Sequence, residues 1–240
     1  MSKQRRLQYG TGQERKKEVT CGIDWISVTY KSCPDSYWKT LPEDGANRVE
    51  YSPKNGYTIG YRCRTGATIQ WNDDRPDMGH HVVYSASAIK EASEEFGYTQ
   101  ERILHYLTEF GRVARIDLRI DAENYGVNIS DLYQQALNGK VETRSKTAGY
   151  EDSGTVGSKE AGPNTVYIGS RKNRKKLLRV YDKGAQMGLE LDLKRFEIEY
   201  HGEIARNAVK TLKSTNMSDY GAVIGGMIKG FANWSEDETF

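Results

Sequence analysis

Three stretches of the chain alternate apolar and charged residues with a period of two, the pattern of a strand that buries one face and wets the other. In ARIDLRIDA, Ile116, Leu118 and Ile120 form the apolar side, and Arg115, Asp117, Arg119 and Asp121 the polar side. In LLRVYDK, Leu177, Arg179, Tyr181 and Lys183 share one side, opposite Leu178, Val180 and Asp182. In RFEIEYH, Arg195, Glu197, Glu199 and His201 lie opposite Phe196, Ile198 and Tyr200. IDWISVTY (23–30) also reads as a strand, with Ile23, Trp25, Ser27 and Thr29 opposing Asp24, Ile26, Val28 and Tyr30. HHVVYSA and TVYIGSR add short strands, and GYTIGYRCRTGATIQWN predicts a hairpin turning at Thr65-Gly66.

Helical spacing appears between these strands. Ile89 and Ala92 mark the inner side of a helix after HHVVYSA. Thr99 is a predicted N-cap for QERILHYLTEF, with Ile103, Leu104, Leu107 and Phe110 inward and Gly111 at its end. Ser130 is the predicted cap of DLYQQALNGK, with Leu132, Ala136 and Leu137 inward and Gly139 closing. GEIARNAVKTLKS places Ile204, Ala208, Val209 and Leu212 on one side. Residues 33–50 and WNDDRPDMG read as loops, the first with one helical turn, and 140–164 as a long exposed loop. Four glycines within 221–231 argue against a helix there. The order of elements implies an α+β fold with helices mainly on one face of a sheet. Residues 1–19 read as a basic flexible arm, 20–213 as the main domain, and 214–240 as a tail without an assigned structure.

Composition changes this picture little. Hydrophobic content of 37% and a mean hydropathy of -0.76 describe a polar globular protein. No apolar run approaches the ~20 residues of a membrane span, so no membrane partner is expected. The basic N-terminus lacks the apolar stretch of a secretory signal. Cys21, Cys33 and Cys63 are odd in number and have no zinc-ligand spacing, which points to free thiols in the cytoplasm. A net charge of +2 says nothing about polyanions, but residues 171–183 hold seven Lys or Arg against one acid.

Local chemistry says more. Same-face neighbours on a strand are roughly 6–7 Å apart, so adjacent strands would bring Asp117, Glu197 and Tyr181 within reach of one metal ion and one phosphate. Tyr181 is the candidate nucleophile. A free phenol ionises near ~10, a deficit of ~4 kcal/mol at pH 7, so it needs a base or nearby cations, and Arg179 and Lys183 are in phase to help. Asp117, Glu197 and Glu199 are candidate ligands for Mg²⁺ or Mn²⁺. The plainer alternatives are a packing tyrosine, and acids that simply pair with Arg115, Arg119 and Arg195 across the sheet. Tyr200 falls in the core phase, Tyr167 is a weaker rival, Asp121 a supporting position, and His201 a strand-end histidine. His80-His81 has no third partner nearby in sequence, and HHV resembles the His-hydrophobe-His motif of nicking enzymes only loosely. SRKNRKK, with Arg171, Lys172, Arg174, Lys175 and Lys176, is the candidate DNA phosphate contact, or else a solvated turn. No GKS or GxGxxG pattern supports nucleotide binding.

TVYIGSR, LLRVYDKGAQMG and RFEIEYHGEIAR, preceded by RIDLRIDA and IDWISVTY, together resemble the rolling-circle replication initiation factors of plasmids and phages (the Rep_trans type) across roughly residues 20–212. The resemblance implies a central antiparallel β-sheet whose open polar face is the active site and is crossed by origin DNA, single-stranded or supercoiled duplex. Tyr181 would attack one strand at an origin, forming a 5′-phosphotyrosine and freeing a 3′-OH, while Asp117, Glu197 and, less securely, Glu199 would hold the divalent ion. A homodimer and a host helicase are further candidate partners. The alternative is a DNA-binding relative that regulates without cleaving.

Overall fold

The structure is a computed structural model that describes residues 16–31, 49–50, 52–63, 65–152, 164–172 and 175–234. Its strands, in chain order, are β1 (Glu18–Tyr30), β2 (Val49–Glu50), β3 (Ile59–Arg62), β4 (Thr68–Trp71), β5 (His80–Ser85), β6 (Arg112–Glu123), β7 (Val141–Thr143), β8 (Ala148–Glu151), β9 (Thr165–Ile168), β10 (Lys176–Asp182), β11 (Leu193–His201) and β12 (Ala232–Trp234). The helices are α1 (Ala86–Phe96), α2 (Gln100–Phe110), α3 (Ile129–Leu137), α4 (Lys183–Gln186), α5 (Gly202–Lys213) and α6 (Tyr220–Lys229).

Ten strands form one sheet in the order β2-β3-β4-β5-β1-β6-β11-β10-β9-β8, and β12 pairs with β7 in a second small sheet. Every neighbouring pair is antiparallel. The three strongly alternating segments are therefore adjacent, as β6, β11 and β10. Their apolar sides, with Ile116, Leu118, Ile198, Leu178 and Val180 all buried, form one continuous face. The helices cover that face: α1, α2 and α6 pack on β1, α5 on β6 and β11, and α3 beneath β8 and β9. Polar anchors fix the angle, as the Tyr30 hydroxyl donates to the Leu107 carbonyl at 2.7 Å and the Tyr200 hydroxyl to the Met227 carbonyl at 3.3 Å.

Strict alternation fails at one place in β1. A bulge between Ile23 and Trp25 leaves Asp24 opposite no residue of β6, while Ile23 still pairs with Leu118 and Trp25 with Asp117. The bulge keeps Ile23, Ile26, Val28 and Tyr30 all in the core, and it frees Asp24 to reach the polar side.

Other expectations change in detail. Thr99 caps α2 as predicted, accepting from Arg102 N at 3.1 Å, but Phe110 is 77% exposed because it is the last helical residue before the turn at Gly111. Helix α3 is capped by Asn128 rather than Ser130, since the Asn128 side chain accepts from both Ser130 N and Asp131 N. Leu137, its last residue, is exposed. Within 140–164 the described residues are not all loop: β7 pairs with β12, and β8 forms an edge of the large sheet. Strands of three or four residues are too short to show a period.

Beyond Lys213 the chain continues the fold. Tyr220, Ile224 and Ile228 recur every fourth residue and are buried. Gly221 and Gly225 face the sheet, where an added β-carbon would meet Cys21 Sγ at 3.6 Å and Ile120 Cδ1 at 3.8 Å, so the glycines let α6 lie close. Packing here outweighs low helix propensity. Val49–Glu50, at the end of the predicted loop 33–50, form β2, while the turn of helix predicted before them, Cys33, and the arm up to residue 15 lie outside the described residues.

Candidate active site on the open face

Register sets the site. Glu199 of β11 lies opposite Asp117 of β6, and Glu197 of β11 lies opposite Arg179 of β10. Tyr181 lies opposite Arg195, and His201 opposite Arg115. Like charges facing across a sheet repel, and here arginines are interleaved to prevent it. Asp117, Glu197 and Glu199 are each at most 3% exposed although they sit on the polar side of the sheet.

Each carboxylate oxygen of these three acids lies beside an arginine, a histidine or a hydroxyl. Arg115 grips Asp117 through Nε at 2.8 Å and Nη2 at 2.5 Å, and the same Nη2 lies 2.9 Å from Glu199 Oε2. His201 Nε2 lies 2.7 Å from Glu199 Oε1. Arg179 Nη2 donates to Glu197 Oε1 and approaches Asp117 Oδ2 at 3.4 Å and Glu199 Oε2 at 3.8 Å. The Tyr181 hydroxyl donates to the remaining oxygen, Glu197 Oε2, at 3.0 Å. Arg115 also lies over the Trp25 ring, 5.0 Å from its centroid. A second network adjoins the first: Arg195 holds Asp121 at 2.6 and 2.9 Å and Asp24 at 2.6 Å, and Arg119 pairs with Asp121.

These surroundings separate the acids. Burial, reinforced by Glu197 and Glu199, pushes the Asp117 carboxyl up to about 7 against the pull of Arg115. At Glu199 burial also pushes upward, but the His201 contact and the Arg115 and Arg179 charges outweigh it and hold the carboxyl at about 2. Burial raises the Tyr181 phenol, the Glu197 charge raises it further, and Arg195 opposes both. Tyr181 therefore rests as a phenol whose proton already points at an acceptor.

The cations expected beside Tyr181 divide in two. Arg179 is committed to the acids, and its buried Nε has no hydrogen-bond partner among the described residues. Lys183 Nζ lies 6.0 Å from the Tyr181 ring centroid and bonds the neutral Gln186 Oε1 at 2.8 Å. It has no carboxylate within 4 Å among the described residues, so its charge faces the site unspent.

The expected metal ligands do come together, but around guanidinium groups. Three carboxylates are a suitable hard-donor set for Mg²⁺ or Mn²⁺, yet their oxygens are engaged by Arg115, Arg179, His201 and Tyr181. No group of three or more His, Cys, Asp or Glu among the described residues is arranged to hold an ion. In this arrangement the acids do not fit a divalent cation unless an arginine withdraws. Electroneutrality explains the difference, since sequence alternation places the acids in phase but says nothing of which cation lies between them.

The remaining candidates lie elsewhere. Arg171 pairs with Glu151 and sits over the Tyr167 ring at 4.5 Å. Lys172 and Lys175 are exposed, Lys176 lies over the Tyr200 and Phe231 rings at 5.7 and 5.9 Å, and Arg174 is outside the described residues. His81 Nδ1 lies 3.0 Å from Thr29 Oγ1 on the far side of β1. The His80 ring lies tilted against Trp71, with ring centroids 5.5 Å apart. Sequence reasoning missed Asp24, although an acid in the core phase of IDWISVTY was itself the signal of a bulge.

A broad antiparallel sheet, covered by helices on one side and carrying a buried acid–arginine–tyrosine cluster on the other, defines the class. The replication initiation factor family matches residues 111–238, and the chain belongs to that family. Among solved structures it is similar to the rolling circle replication initiator protein from Geobacillus stearothermophilus, at 19% sequence identity over 93% of this chain and 89% of that one, with a TM-score of 0.76. That likeness is one of fold. A comparison with curated protein sequences finds no match. No helix among the described residues is long and apolar enough to cross a membrane.

Proposed function

We propose that the protein is a rolling-circle replication initiator that nicks one DNA strand through Tyr181. The Tyr181 oxygen attacks the phosphorus, the bond to the 3′ oxygen breaks, and the product is a 5′-phosphotyrosine with a free 3′-OH. Glu197 Oε2 takes the phenolic proton, and the departing 3′ oxygen takes a proton from water. The observation that carries this reading is the 3.0 Å hydrogen bond from Tyr181 to Glu197. A phenol raised above its ordinary value cannot wait as phenoxide, so it needs a base in contact, and Glu197 is in contact. Lys183 is the unspent cation that meets charge developing on the phosphate. The family resemblance and the Geobacillus fold both support this reading. Divalent metal dependence belongs to it only as a consequence of Arg179 withdrawing, and no step is assigned to an ion.

One observation favours a non-cleaving DNA-binding regulator. Tyr181 is only 8% exposed, and its hydroxyl is engaged. Origin oligonucleotides labelled at either end decide between the two. Covalent capture of the 3′-labelled strand, with release of a shortened 5′-labelled strand, and loss of both in Tyr181→Phe, is the expected result. DNA binding without any covalent adduct would establish the regulator.

A further inference from the structure

The arginines of the open face are all committed to carboxylates, and apart from Lys183 free positive charge collects at the opposite end of β10. There, Arg144 and Lys146 from the β7–β8 loop, Lys175 and Lys176 from the start of β10, and Lys229 at the end of α6 line one cleft of about 1130 Å³. Glu142 is the single acid in its lining. None of the five cations is ion-paired within 4 Å among the described residues, and Arg144, Lys146, Lys175 and Lys229 are exposed.

The cleft is built rather than casual. Thr143 Oγ1 donates to the Phe231 carbonyl at 2.8 Å, tying the loop to the end of α6. Ser145 N donates to Thr143 Oγ1 at 3.1 Å, and Thr147 N to Ser145 Oγ at 3.3 Å. Gly169 N donates to the Thr147 carbonyl at 2.9 Å, joining the loop to the hairpin. These bonds consume the local backbone and hydroxyl groups and leave Arg144 and Lys146 to project outward. The one aromatic ring in the lining, Phe231, already has Lys176 over it, so a stacking platform for unpaired bases is lacking. Cations without base-reading or stacking groups suit phosphates.

We propose that this cleft grips the phosphodiester backbone of duplex DNA flanking the nick. The proposal rests on the strand-nicking reading and adds where the duplex is held. Lys176 and Tyr181 are five residues apart on β10, about 17 Å at the usual rise. By parity, however, Lys176 falls in the phase of Leu178 and Val180 on the helix-covered side, and Tyr181 on the open side, so the cleft lies around the end of the sheet from the acid face. The protein thus holds flanking duplex beside the end of the sheet, and the strand to be cut passes from there to the open face.

The test uses the full chain carrying Tyr181→Phe, so that binding is measured without cleavage, and a labelled 30-base-pair duplex followed by anisotropy across a KCl series. Replacing Arg144, Lys146 and Lys229 together by Gln should weaken binding about tenfold or more near 0.1 M salt and reduce the log–log salt slope by about 2 to 3. The charge-preserving pair Arg144→Lys with Lys146→Arg should leave both near the parent's values. Removing three exposed cations elsewhere (Lys31, Lys54 and Lys90 to Gln) should leave the slope near that of the parent. An unchanged slope in the first variant, with its thermal melt intact, overturns the cleft while leaving the nicking reading standing. A slope change confined to single-stranded DNA overturns the duplex assignment. A parent protein that binds no DNA at any salt overturns the nicking reading itself.

Discussion

Arg195 and Asp24 stand 171 residues apart in the chain and meet at 2.6 Å on the polar side of the sheet. The contact exists because the β1 bulge turns Asp24 out of the core phase, and because Arg195 also clamps Asp121 of β6. One guanidinium thus joins three neighbouring strands under the candidate nucleophile. Replacing Arg195 with Met leaves two largely buried carboxylates short of a partner. The expected loss is about 3 kcal/mol, measured as a shift in urea midpoint, with Asp24→Asn costing less because Asp121 still holds Arg195.

Glu197→Gln tests the proton acceptor. The amide can still accept the Tyr181 hydrogen bond but cannot keep the proton. Covalent attachment to a single-stranded origin oligonucleotide should slow by about 10² or more, with duplex binding changed little. An adduct rate equal to wild type would remove Glu197 from the role.

Arg179→Met tests what fills the acid cluster. With its guanidinium gone, Asp117, Glu197 and Glu199 face one another with less compensating charge, and a divalent ion becomes the natural replacement. Mn²⁺ should bind this variant about tenfold or more tightly than wild type, since charges at this range interact by several kcal/mol even when well screened. Counting free Mn²⁺ by electron paramagnetic resonance gives the answer independently of activity.

Stability should carry the mark of Glu199 on the acid side. Its carboxyl lies near 2 in the folded chain, below its ordinary value near 4.5. The folded state therefore gains stability from this group above about pH 4.5 and loses it as pH falls toward 2. Glu199→Gln should cost about 2 kcal/mol at pH 7, and the difference from wild type should shrink to about 0.4 kcal/mol by about pH 2 and vanish below it. Equal differences at pH 7 and pH 2.5 in chemical denaturation would refute the assignment. Asp117 acts in the opposite sense between about pH 4 and 7, and because the Glu199 charge helps to raise it, its carboxyl falls in Glu199→Gln and offsets part of the cost at pH 7.

Much of the scaffold was legible from the chain. Alternation in ARIDLRIDA, LLRVYDK and RFEIEYH put Asp117, Tyr181, Glu197 and Glu199 on one side, because side-chain direction in a strand is fixed by parity. Parity also explains what was hidden. A bulge at Asp24 resets it without leaving a gap in the sequence, and short strands such as β7 and β8 hold too few residues to display it. Helix α6 was hidden for another reason: its glycines are poor helix formers in isolation and useful only against the neighbouring sheet.

The sequence by itself determined which residues share a face, where the positive charge is densest, and that an α+β sheet with helices mainly on one side was required. Tertiary structure alone decided that β6, β11 and β10 are neighbours, that Arg115 and Arg179 rather than open space lie among the acids, and that Arg144, Lys146 and Lys229 meet in one cleft. The physical reason is range. Strand parity acts between residues two apart, whereas ion pairing and strand order are settled between residues tens to hundreds of positions apart, by whichever arrangement leaves the fewest buried charges uncompensated.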